Sequence, residues 1–300
     1  MSRAIQTKDR GIQILRLLKQ HGPLSFRALK HMIEPQIKER KLHNCIARLV
    51  KNGLILRRQE RVFRGTGVFY QLTQDIQSRE KIAIILKCRA DDLSQAFFRS
   101  RELLHTEACA FLVHRLRKLF PDAQLTRDFE FYNSASANEI LLTERSDYEL
   151  QPDVLMSFGG GAGQARVSVA FEIERSRKSE RRLAAKLHKY ANETALDGVV
   201  YICDSEQISK PVQQVFKTKI NPKSLRIRHY GEYFLLSSNE PSELFSGETK
   251  MFNSSVTPVM FVTWITQLRS TALTRRRNQT FEEGAVSCPL WENHSQAPTV

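Results

Sequence analysis

Three breaks divide the first fifty-three residues into short pieces that cannot merge into one long helix. They fall at His21-Gly22-Pro23, Glu34-Pro35 and Asn52-Gly53. Proline disfavours the α conformation in the residue before it, and glycine supplies the left-handed stop after a helix. Between the breaks, apolar residues recur at helical spacing. Ile12, Leu15, Leu17 and Leu18 predict a helix over 8–20 with Thr7 as its N-cap. Ser25 opens a short second helix carrying Phe26, Leu29 and Met32, and a third, over 37–52, turns Leu42, Ile46, Leu49 and Val50 inward. Strands at 54–58 and 67–72 then flank a basic loop from Gln59 to Thr66. Helix, short helix, polar-faced helix and hairpin, in that order, predict a winged helix-turn-helix.

Charge says what such a unit would meet. The 300-residue chain carries a net +14, and residues 1–72 hold sixteen Lys and Arg against four Asp and Glu. That segment alone is +12, leaving +2 for everything after it. The outer face of the third helix carries Lys38, Arg40, Lys41, His43, Asn44, Arg48 and Lys51, and the wing adds Arg61 and Arg64. A helix of this size fits a major groove, where Arg and Asn pair bidentately with guanine and adenine edges. Arg40, Asn44 and Arg48 are therefore the candidate base readers. Lys38, Lys41, Lys51, Arg61 and Arg64 are the candidates for phosphates or the minor groove. Winged helices also serve as protein-binding modules, but the concentrated charge favours double-stranded DNA as the partner.

Composition excludes other classes. Hydrophobic residues make up 41% and charged residues 26% of the chain, ordinary for a globular protein. No apolar run approaches the length of a membrane span and the N-terminus has no signal-peptide core, so no membrane insertion is expected. The five cysteines are far apart and form no CxxC pair, which predicts reduced thiols in a cytoplasm rather than zinc or disulfides.

The length predicts a second domain. Residues 76–94 read as a helical connector after a 1–75 DNA-binding domain. A domain over 95–240 follows, then a partly disordered extension over 241–300. The second domain opens with an amphipathic helix over 101–119. Strands are expected at 124–131, 139–143, 152–158 and 167–174, the last two separated by a turn at Gly159–Gly163. A basic helix over 176–192, a strand at 198–203, a helix near 206–218 and a strand at 225–230 complete it. In the extension, Met251 to Leu268 reads as one apolar helix. Arg275-Arg276-Arg277 is a basic patch, and the end from Gln279 reads as unstructured.

Strand period places Glu172 and Glu174 on one face of the 167–174 strand. If the 152–158 strand is its antiparallel neighbour, Asp153 joins them. Converging carboxylates repel unless a divalent cation neutralises them, and hard oxygen ligands suit Mg²⁺ or Mn²⁺. Such a metal activates water and stabilises charge on a phosphate.

Asp153 with Glu172-Ile173-Glu174 resembles the PD-(D/E)xK nuclease signature, with Glu174 standing where the motif has lysine. The chain also resembles the replication-relaxation family, which includes MOBC-type plasmid mobilisation relaxases. That likeness spans roughly residues 8–235 and rests on five features. These are the winged-helix pattern, Leu104-His105-Thr106-Glu107, Pro152-Asp153-Val154-Leu155, Phe171-Glu172-Ile173-Glu174-Arg175 and Lys186-Leu187-His188-Lys189-Tyr190. The resemblance implies an α+β chain: an N-terminal winged helix-turn-helix followed by a restriction-endonuclease-like α/β sandwich with a mixed central sheet. It implies a divalent-metal-dependent relaxase that nicks one strand at a plasmid transfer origin, alongside an accessory mobilisation or coupling protein.

Carried over by position, Asp153, Glu172 and Glu174 would hold the metal and Lys186 would contact the phosphate or water, with Lys189 second in line. Glu107 would complete the site from the first helix. Tyr190, one turn beyond Lys186, is a nucleophile or, more ordinarily, a packed hydrogen-bonding tyrosine. Arg175, Arg177, Lys178, Arg181 and Arg182 either solvate a helix face or neutralise a DNA backbone. The absence of the motif lysine leaves an alternative open, a non-catalytic DNA-binding replication or transcription accessory protein with a degenerate nuclease fold.

Overall fold

The computed structural model describes residues 2–33, 37–62, 65–93, 102–128, 151–159, 167–192, 196–203, 205–219, 233–237, 250–252 and 258–271. They form an α+β chain with two sheets, one of three antiparallel strands and one mixed sheet of seven.

Helix α1 (Ser2–His21), β1 (Leu24–Ser25), α2 (Phe26–Ile33), α3 (Glu39–Lys51), β2 (Ile55–Val62) and β3 (Gly65–Leu72) come first. The three strands stand in the order β1-β3-β2. Ile14, Leu15 and Leu18 of α1 pack with Leu29, Leu42, Ile46, Leu49 and Leu72 into one buried cluster. Ser25 caps α2, its Oγ accepting from the Ala28 amide at 3.1 Å. Gly53 (φ 68°) ends α3 in the left-handed conformation, and its amide donates to the Val50 carbonyl at 2.9 Å. Helix α1 starts five residues before the expected N-cap at Thr7, since Arg3, Ala4 and Gln6 are themselves good helix formers.

The expected Gln59–Thr66 loop is mostly ladder, with Gln59 opposite Val68 and Arg61 opposite Thr66. Arg57, Gln59 and Arg61 are exposed, while Arg58, Glu60 and Val62 are half-buried. On the half-buried face Arg58 donates to Glu60 at 2.8 Å and to Gln71 of β3 at 3.0 Å. Polar contacts hold this strand, so its sequence looks like a loop.

Helix α4 (Ile76–Leu86), capped by Asp75 accepting from the Ser78 amide, and a 3-10 turn at Asp91–Leu93 lead onward. Next come α5 (Leu103–Leu119), β4 (Gln124–Arg127), β5 (Val154–Phe158), β6 (Val167–Glu174), α6 (Glu180–Asn192), β7 (Gly198–Cys203), α7 (Glu206–Lys219), β8 (Tyr233–Ser237), β9 (Lys250–Phe252) and β10 (Pro258–Met260). A last helix, α8, covers 261–271. The sheet order is β10-β9-β8-β7-β6-β5-β4, with β6-β7-β8 parallel and the remaining pairs antiparallel. One face packs on Leu112 and Leu116 of α5 and Trp264 and Ile265 of α8, the other on Leu183 and Leu187 of α6 and Val212 and Phe216 of α7. Strands β5, β6 and β7 are buried along their whole length, as strands covered on both faces must be.

The sheet continues past residue 240. The single helix expected over Met251 to Leu268 is instead β9, β10 and α8. Pro258 cannot donate a ladder hydrogen bond, and it opens the edge strand, where none is required. Gly198 lets α8 approach β7, since a Cβ there would lie 2.6 Å from the Trp264 ring. The strands expected at 139–143 and 225–230, most of the Gly159–Gly163 turn, Arg275-Arg276-Arg277 and the end from Gln279 lie outside the described residues.

Helix α5 belongs to both cores. Ala110 and Phe111 pack into the N-terminal cluster, while Cys109, Leu112, Val113 and Leu116 pack under the seven-stranded sheet. Polar contacts reinforce the junction. Arg127 of β4, 2% exposed, donates to the His21 carbonyl at 2.8 Å and the Thr106 carbonyl at 3.2 Å. Among the described residues no helix is long and apolar enough to cross a membrane.

Candidate active site

Alternation along β6 sends Phe171 and Ile173 toward α5 and α8, and Ala170 toward α6 and α7. Glu172 and Glu174 share the Ala170 face by the two-residue period. They are the end of the strand at which the sheet changes from antiparallel (β5-β6) to parallel (β6-β7). In open α/β sheets ligands bind outside the carboxyl ends of the parallel strands, and Glu172 and Glu174 stand at that end of β6.

Glu172 is only 1% exposed. Its two oxygens accept from Lys186 Nζ and from the Tyr190 hydroxyl, both from α6. Asp153, just before β5, reaches across to β6, where Oδ2 accepts from the Ile173 amide at 2.6 Å. Its Oδ1 lies 3.1 Å from His105 Nε2. Glu174 is bound to Lys178 at 2.5 Å. Lys186 and His105 are part-exposed, so the acidic pair lies beneath a rim of cations.

Burial pushes the Glu172 carboxyl up to about 7, and the Asp153 charge adds to the rise against the pull of Lys186 and Tyr190. Asp153 goes the other way. Burial opposes its charge, yet His105, Lys186 and the Ile173 amide hold it below the ordinary carboxylate value. Lys186 is raised despite burial by Glu172 and Asp153. Burial and the Glu172 charge raise Tyr190 well above a normal phenol. A buried carboxyl titrating near neutrality beside a lysine is equipped for proton transfer. Tyr190, 0% exposed and donating to Glu172, is placed to orient that carboxyl.

Asp153, Glu172, Lys186 and Tyr190 are thus brought together. Glu107 is not among them, because its Oε2 accepts from the Ser25 amide of β1 at 2.6 Å. His105 takes its place. Residues two apart point to opposite sides of a helix, so α5 shows His105 to the sheet end and Glu107 to the N-terminal unit. The signal was present in the Leu104-His105-Thr106-Glu107 run, but nothing local says which side faces the sheet.

Lys38 at the N-cap of α3 and Arg40, Lys41, Asn44, Arg48 and Lys51 on it are all exposed, as is Arg61 of β2. Arg64 lies outside the described residues. His43, on the same helix, stacks on Phe26 with ring centroids 3.9 Å apart.

Comparison with known protein families, curated proteins and solved structures finds no match for this chain. The site therefore rests on its own chemistry. Among the described residues no group of three or more His, Cys, Asp or Glu is arranged to hold a metal ion. Asp153 and Glu172 have the hard oxygens that such a cation takes, although each already accepts from donors of the chain. They are two oxygen acids close enough for the Asp153 charge to raise the Glu172 pKa.

Proposed function

We propose that this chain is a divalent-metal-dependent DNA-nicking protein of plasmid mobilisation, working in the cytoplasm. In this reading the N-terminal unit is a winged helix-turn-helix that docks α3 on duplex DNA. The seven-stranded unit is a restriction-endonuclease-like domain that cuts one strand. What carries the reading is the meeting of Asp153, Glu172 and Lys186 at the end of β6, beside an antiparallel-to-parallel switch. The resemblance to MOBC relaxases adds the transfer origin as target and an accessory or coupling protein as partner.

Asp153 and Glu172 would hold Mg²⁺ or Mn²⁺, with Glu174 the third carboxylate on the same face of β6. A bound ion of this kind activates water and stabilises charge on phosphate. The side chains do the rest. Lys186 meets the phosphate at the rim, Tyr190 orients Glu172, and His105 keeps Asp153 ionised. Neither duplex recognition nor the rim depends on the lysine that the PD-(D/E)xK motif would place at Glu174.

A second reading has its own support. Each carboxylate is already matched by a cation of the chain: Asp153 by His105, Glu172 by Lys186 and Glu174 by Lys178. A self-neutralised cluster also suits a non-catalytic accessory protein that holds DNA. The two readings part on supercoiled plasmid carrying the cognate origin, incubated with Mg²⁺ or Mn²⁺. Nicking predicts an open circle that disappears with Asp153→Ala and with Glu172→Ala. Tight binding without relaxation under either ion would establish the accessory role instead.

A further inference from the structure

We propose that α6 and the turn before it form a track for the backbone of one DNA strand, guiding it to Glu172 and Lys186. This rests on reading that site as one acting on a phosphodiester. Five cations lie between Arg175 and Arg182. Two of them work inside the protein, Arg175 donating to the Leu104 carbonyl at 3.0 Å and Lys178 to Glu174 at 2.5 Å. Arg177, Arg181 and Arg182 are exposed, and among the described residues their guanidinium groups have no partner. Half-buried cations elsewhere find acids, as in Lys30–Glu39 at 2.6 Å and Arg269–Asp122 at 2.7 Å. The one acid on α6, Glu180, is occupied by Lys219 at 3.5 Å.

Spacing turns these charges into a track. Arg182, Lys186 and Lys189 stand at i, i+4 and i+7, along one face of the helix. At about 1.5 Å of rise per residue the stripe is about 10 Å long. A strand's backbone laid along it would pass the three cations in turn. The middle cation, Lys186, is the one that touches Glu172. A backbone laid along the stripe therefore brings one phosphodiester to the acidic pair.

The surface suits nucleic acid better than a protein or a membrane. Leu183, Leu187 and Tyr190 are buried, and among the described side chains α6 exposes Glu180, Arg181, Arg182, Ala185, His188 and Lys189. Among these there is no apolar face to insert into lipid or to form the core of a protein interface. Cations of this kind contact phosphates without reading bases, so the track is indifferent to sequence.

The test is binding of a fluorescein-labelled single-stranded oligonucleotide to the full chain across a NaCl series. Each phosphate contact contributes about 0.7 to the slope of log Kobs against log salt on a single strand. Arg182→Gln should therefore flatten the slope by about 0.7, with the melting temperature unchanged because the side chain is exposed. Arg40→Gln/Lys41→Gln on α3 should flatten the duplex slope and leave the single-strand slope in place. An unchanged single-strand slope in the α6 variant would overturn the track, as would a loss confined to phosphatidylserine vesicles. Plasmid nicking with an unchanged slope sinks the track alone. A flattened slope with no nicking under either ion sinks the site and leaves the track.

Discussion

Helices α3 and α6 are both thirteen residues long and open almost identically, Glu39-Arg40-Lys41-Leu42 and Glu180-Arg181-Arg182-Leu183. Their charges are used in opposite ways. The side chains that α3 buries, Leu42, Ile46 and Leu49, join an apolar cluster with Ile14, Leu15 and Leu18 of α1, and its Lys and Arg are all exposed. Beneath α6 lies β6, whose Glu172 draws Lys186 inward. The contrast teaches that the charge on a basic helix takes its role from the surface underneath. Over an apolar floor it generates a field that attracts a polyanion. Over a buried carboxylate it sets protonation states.

The largest expected effect tests whether the two units are separable. Trp264→Ala removes an aromatic ring, 3% exposed, from under the sheet that carries α6, at a cost of about 4 kcal/mol. Because α5 packs into both cores, native-state hydrogen exchange should speed up at α3 amides as well as at β6 and β7. Unchanged α3 protection would mean that the shared helix does not couple them.

Next in size is the loss of the inward cation. Lys186→Met leaves Glu172 buried without its main partner and should cost about 3 kcal/mol in urea unfolding at pH 8. Arg48→Met on α3 should stay within about 0.5 kcal/mol, because that side chain is exposed. Equal losses would erase the distinction between the helices.

The pH dependence sharpens the same point. The folded pKa of Glu172, about 7, lies above its unfolded value. The unfolded chain therefore releases this proton first. The stability contributed by the protonated carboxyl is fully present below the unfolded value and lost as pH rises through 7. Glu172→Gln does not titrate. Its stability relative to wild type should climb between pH 5 and pH 8, by up to about 3 kcal/mol. A flat difference would show that Glu172 is ionised throughout. The smallest effect belongs to the N-terminal unit, where Ser25→Ala removes the α2 cap at about 1 kcal/mol, readable as a shift in urea midpoint.

Much was legible along the chain where local rules decide. Strands β6 and β7 have the expected limits, because apolar runs bounded by polar residues and turns mark buried strands. The i,i+4 spacing of Lys186 and Tyr190 already put them on one face, and both reach Glu172. Strand β2 was less legible, since Arg58, Glu60 and Gln71 hold it by polar contacts that hydropathy does not register.

By itself the sequence determined where most helices stop, which strand residues share a face, and that the excess charge sits in residues 1–72. Those follow from backbone sterics, side-chain periodicity and counting. Only the tertiary structure decided that His105 rather than Glu107 meets Asp153, that α5 serves two cores, and that α6 turns Lys186 inward while α3 turns its cations out. Each depends on which surface lies opposite a side chain. Between His105 and Asp153 that surface is 48 residues away along the chain, beyond the reach of local spacing.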